Sequence, residues 1–171
     1  MLSFLRAFGL AVLLFPMALA THEVMHLVVY SAFGVPASLV VTRWRTGTLG
    51  VAVFGLHAAP AQAGLVSFRL LLADNLLGPA LAALLLLALW LALDRRSRAA
   101  RTALLANVLA LAFFSAIEVA YPLLEQVGHV DADLLLLPEV NYGAALLILV
   151  LVAGAAARRS SSPRLSMMRA A

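Results

Sequence analysis

Thr21-His22-Glu23-Val24-Met25-His26 is the stretch of this chain whose residue types and spacing could do chemistry. On a helix the two histidines stand at i and i+4, one turn apart on a single face, with the glutamate about 100° round from the first. That arrangement suits a hydrolytic zinc site, in which the imidazoles bind Zn²⁺ and the glutamate takes a proton from water activated there. The flanking residues are apolar on both sides. Ionisable groups inside a membrane span cost roughly 2.5–3.5 kcal/mol each on insertion scales and are usually functional when present. His22, Glu23 and His26 together need a common partner, and a divalent cation is the simplest one.

Composition sets the class. Hydrophobic residues make up 64% of the 171 residues and charged residues 12%, against roughly 25% charged in an average soluble domain. Mean hydropathy is +1.04. The chain therefore reads as an all-α integral membrane protein, multi-pass, with the bilayer as its solvent. Cysteine is absent, which excludes disulfides and thiolate metal sites. The net charge of +4 comes from arginines at the ends of apolar runs, a membrane-orientation pattern and not a nucleic-acid footprint.

Four transmembrane helices are expected near 7–33, 70–93, 102–124 and 134–157, all within a single membrane domain over 1–157. Pro16 should kink the first span or mark the meeting of two helical pieces, and Gly34-Val35-Pro36 should end it. Ala18-Leu19-Ala20 resembles a signal-peptide cleavage site, yet the apolar run resumes after His26 through Phe33, so one uncleaved spanning helix is expected. Residues 38–56, rich in Val, Thr and aromatics with a turn near Thr46-Gly47-Thr48, read as a short β-hairpin insertion between spans one and two. Asp74-Asn75-Leu76-Leu77-Gly78-Pro79 should interrupt the start of the second span. The tail over 158–171 reads as disordered and cytoplasmic.

The basic cluster Arg95, Arg96, Arg98 and Arg101, with Arg158, Arg159 and Arg6, places both termini in the cytoplasm. Arg43, Arg45 and Arg69 lie on the opposite side and weigh against this. The expected location is a bacterial cytoplasmic membrane. In that topology Asp74, Glu118, Asp131 and Asp133 gather at similar depths around the histidines. A third carboxylate makes electrostatic sense there: Zn²⁺ with two neutral imidazoles and one carboxylate carries +1, and Glu23 brings the cluster to neutrality.

With these features in order, the chain resembles the site-2 protease family of intramembrane zinc metallopeptidases over roughly 14–137. The family has H-E-x-x-H in an early span, a β region after it, a Gly-Pro-containing later span and an aspartate ligand in a still later one. The resemblance implies that His22 and His26 are zinc ligands, Glu23 the general base, Gly78-Pro79 the Gly-Pro segment and Asp131 the third ligand. Glu118, Asp74 and Asp133 stand as alternatives for that third place. The chain departs from the pattern at Met25, where a small residue is usual, at Ala132 after Asp131, where glycine is usual, and at Glu118, near where asparagine is frequent.

The function so implied is hydrolysis of peptide bonds in membrane-embedded protein or peptide substrates by a zinc-activated water, with Glu23 as base. His57, Asn75 and Asn141 are candidates to help hold the oxyanion, although a loop histidine and two amides that bond helix to helix is the stronger reading of these three. An exposed hairpin edge, 39–42 or 51–54, could pair with an unwound substrate by strand addition. Two other classes compete. One is a membrane haem- or metal-binding protein using His22, His26, His57 and His129; the other is a noncatalytic four-span accessory protein.

Overall fold

Alanine lines the interior of this protein and leucine covers its outside. Ala11, Ala103, Ala106, Ala110 and Ala145 are fully buried, while Leu13, Leu91 and Leu151 are each at least 60% exposed. In a bilayer there is no hydrophobic drive to bury leucine, so helices associate where small side chains let backbones approach. The computed structural model describes residues 1–45, 52–62, 64, 66–128 and 137–161. It consists of α1 (Leu2–Ala32), a hairpin of β1 (Ala37–Arg45) and β2 (Ala52–Pro60), α2 (Phe68–Ala92), α3 (Arg98–Val127) and α4 (Pro138–Ser161). All four helices are long and apolar enough to cross a membrane. This is the expected all-helical membrane bundle with a small β insertion.

Several local details differ from expectation. α1 starts at Leu2 and is a single element through Pro16, so Pro16 does not mark the meeting of two helical pieces. α2 likewise passes uninterrupted through Asp74 to Pro79. Neighbouring helices supply bonds that let a proline sit inside a span. α4 continues past Arg158 and Arg159 to Ser161, so the expected tail begins inside the helix, and 162–171 lie outside the described residues. The hairpin strands are antiparallel, with Val40 opposite His57 and Leu39 opposite Ala58. The turn expected near Thr46-Gly47-Thr48 also lies outside the described residues.

The end of α1 aims the hairpin. Gly34 has φ of +70°, a left-handed conformation that costs glycine little. Its N–H donates to the Ser31 carbonyl at 3.0 Å and the Val35 N–H donates to the Tyr30 carbonyl at 2.9 Å, a Schellman closure. Val35, Tyr30 and Leu70 then form a buried cluster with Ala37 and Ala58 against it, tying helix end, hairpin base and α2 together. At the start of α2 the Ser67 hydroxyl accepts from the Leu70 N–H at 3.2 Å. Further in, fully buried Asn107 donates to the Ala11 carbonyl at 3.1 Å and to the Ala103 carbonyl at 2.9 Å, joining α3 to α1.

Candidate metal centre

His22 and His26 face the bundle interior and not lipid; their exposures are 2% and 6%. Their Nε2 atoms lie 2.7 Å apart. Glu118 of α3 meets both, with Oε1 3.0 Å from His22 Nε2 and Oε2 3.4 Å from His26 Nε2. These three side chains could hold a metal ion: one donor atom from each falls within 4.8 Å of the others. Two imidazole nitrogens and a carboxylate converging on one point match the donor set of catalytic zinc sites. Glu118 Oε2 is buried without a hydrogen-bond partner among the described residues, as expected of an oxygen whose partner is a cation.

Asp74 stands on the other side of the His26 ring. Its Oδ1 is 2.9 Å from His26 Nδ1. A carboxylate beside Nδ1 is the usual support of a histidine whose Nε2 binds a metal, and Asp74 is placed for that role. Of the alternatives named for the third donor, Glu118 therefore joins the Nε2 pair, whereas Asp74 contacts His26 from behind. Asp131 and Asp133, like His129, lie outside the described residues. His22 Nδ1 is buried with no hydrogen-bond partner among the described residues, and the Phe114 ring packs edge-on at 6.2 Å.

Two features of the helices make this convergence possible. A Cβ on Gly78 would lie 2.6 Å from His26 Cε1 and Nδ1, so the absence of a side chain on α2 makes room for the ring. On α3 the Glu118 carbonyl lacks its helical donor, because the residue four positions on is Pro122, which has no N–H. Asn75 Nδ2 donates to that carbonyl at 2.7 Å. Asn75 thus closes a gap in α3 at Glu118, the helix-bonding role, and it also lines the space next to His26 and Glu118. Asn75→Leu is expected to loosen Glu118 and lower metal affinity about tenfold, with a stability loss of roughly 1–2 kcal/mol. Metal titration and thermal unfolding in detergent would check both.

Glu23 turns toward the hairpin. Its Oε2 accepts a hydrogen bond from the Ala58 N–H at 2.8 Å. A cavity of about 200 Å³ opens beside it, lined by Glu23, His26, Tyr30, His57, Asp74 and Glu118, which is ample for water. His57 Nδ1 is 3.4 Å from the Thr42 hydroxyl on the neighbouring strand. Met25 packs against the cluster of Ala18, Ala82 and Leu111, with Ala83 alongside. Tyr30 and Ala58 were missed from sequence. The first had a signal, since residues 22, 26 and 30 share one helical face; the second is a backbone group revealed only by strand placement. Comparison with protein-family models, curated proteins and solved structures finds no match to this chain.

Proposed function

We propose that this chain is an intramembrane zinc endopeptidase of the site-2 protease type, cutting peptide bonds of membrane-embedded substrates. The observation that carries the reading is a buried His22–His26–Glu118 donor set with a further carboxylate, Glu23, on the same turn of α1, beside a cavity that admits water. Zinc is the metal this nitrogen-rich set favours, since calcium and magnesium prefer oxygen ligands. Bound there, it would supply a Lewis acid and a water acidic enough to lose a proton near neutral pH. His22, His26 and Glu118 would hold it, and Asp74 would support the His26 ring from its Nδ1 side.

Glu23 does the proton work. Its Oε2 is held by the Ala58 N–H, which leaves Oε1 to take a proton from water and pass it to the departing amine. By the positive-inside rule the arginine-rich end lies in the cytoplasm, so the hairpin and donor cluster sit toward the outer face.

The hairpin suggests how an unwound substrate would be held. Ala58 directs its N–H away from β1, so by strand alternation Leu56 presents its own N–H on the same free edge of β2. Of the two expected edges, 39–42 belongs to β1 and lies one strand, about 5 Å, farther from Glu23, while residues 52–54 of the other lie farther along β2 than Leu56 and Ala58. An extended segment added at Leu56 would be carried past Glu23. Leu56→Pro removes one edge donor without touching the β1 ladder, and cleavage is expected to fall roughly tenfold with metal content unchanged.

The test of the whole reading is metal analysis of purified wild-type protein beside His22→Ala, with cleavage of a reconstituted substrate span followed in parallel. Wild type should carry stoichiometric zinc and cut; His22→Ala should do neither. A protein that binds zinc without cutting any span would be the noncatalytic metal-binding alternative.

A further inference from the structure

A second, larger cavity lies at the opposite end of the bundle from the histidines. Its volume is about 980 Å³, and it is enclosed by the start of α1, the end of α2, the start of α3 and the end of α4. From Arg6 at its mouth to His22 is sixteen residues of helix, about 24 Å, so the two sites are separate.

The cavity has two chemical halves. Toward the bundle it is apolar, with Leu10, Leu105, Leu109 and Val152 in its wall. Leu10 and Leu109 are 40% and 44% exposed, so this half opens sideways onto the lipid-facing surface. Its outer rim carries Arg6, Arg95, Arg96, Arg98 and Arg159, and among the described residues no aspartate or glutamate lines it. Among the described residues none of these five arginines is in an ion pair.

Arg101 is used differently. It donates to the Leu93 carbonyl at 2.9 Å and lies 4.0 Å over the Trp90 ring, so it builds the wall that joins α2 to α3. The first turn of α3 also borders the cavity, and no side chain caps it at Ser97, which leaves the positive end of the helix dipole facing the rim.

We propose that this cavity binds an anionic phospholipid, with the phosphate among Arg6, Arg98 and the α3 terminus and the upper acyl chains along Leu10 and Leu109. Unpaired guanidinium groups at a membrane surface need anionic partners, and a basic pocket between spans is the arrangement that binds lipid headgroups. The volume far exceeds that of a free phosphate, and the sideways apolar opening gives acyl chains an exit that a soluble anion would not use. The inference stands whether or not the donor cluster is catalytic.

Trp90 in the wall provides the readout. The full chain carrying Trp44→Phe, so that Trp90 is its remaining tryptophan, is reconstituted in vesicles containing equal mole fractions of either brominated phosphatidylglycerol or brominated phosphatidylcholine. Bromine should quench Trp90 severalfold more strongly from the anionic lipid. Arg98→Gln and, on the opposite wall, Arg6→Gln should each reduce that preference roughly fivefold. Arg158→Gln removes the same charge from the same end without lining the cavity and should leave the preference intact. Equal quenching by the two lipids would overturn the proposal. So would an equal loss in Arg158→Gln, which would mean diffuse surface charge, or displacement of the brominated lipid by inorganic phosphate, which would mean a soluble-anion site. Circular dichroism of each variant confirms that the bundle is intact.

Discussion

Glu23→Gln is expected to lower peptide cleavage by about 10²–10⁴-fold, the usual contribution of a positioned acid–base group, while bound zinc stays at the wild-type level. The substitution keeps shape and removes only the ability to carry a proton. The amide oxygen can still accept from the Ala58 N–H, now at 2.8 Å from Oε2. His22, His26 and Glu118 are untouched, so the donor set survives. Turnover of a reconstituted substrate span and metal content of the same preparation are the two measurements. Loss of both together would mean that Glu23 holds the site together and is not its base. Undiminished turnover would make the glutamate a bystander and remove the support for the peptidase reading.

Gly78→Ala is expected to cost at least about tenfold in metal affinity, and cleavage with it. Two opposing effects must be weighed. Alanine is the better helix former by about 1 kcal/mol, so α2 by itself would gain. The new methyl, however, would lie 2.6 Å from Cε1 and Nδ1 of His26 and 2.9 Å from Cγ, far inside van der Waals contact. The ring has little freedom to yield: Asp74 Oδ1 is 2.9 Å from its Nδ1 and His22 is 2.7 Å from its Nε2. Overpacking of this kind typically costs roughly 1–3 kcal/mol, and relief by ring rotation would pull Nε2 away from Glu118. Sterics therefore win over propensity. Gly143→Ala and Gly154→Ala in α4 are the controls; a Cβ there meets nothing within 4 Å, so metal binding should be unchanged. Metal titration across the three variants separates a local clash from a general effect of glycine loss.

The membrane class, the four spans and the hairpin were legible in the chain itself, because a bilayer imposes its length and polarity on any segment that crosses it. The His22–Glu23–His26 face was legible for a similar reason, since helical periodicity alone places residues four apart on one side. Which carboxylate completes the cluster was not. Asp74, Glu118, Asp131 and Asp133 all come to a similar depth by counting residues, and depth says nothing about rotation around a helix axis. That rotation is set by packing: Gly78 admits the His26 ring, Asn75 bonds to the carbonyl that Pro122 leaves open, and Glu118 is turned toward both Nε2 atoms as a result. The contact between Glu23 and Ala58 likewise depends on strand placement, because a backbone N–H has no signature in the order of side chains. Elements and the face that carries both histidines follow from local periodicity and the solvent; the closing of the cluster follows from which small residues and unpaired carbonyls meet across helices far apart in sequence.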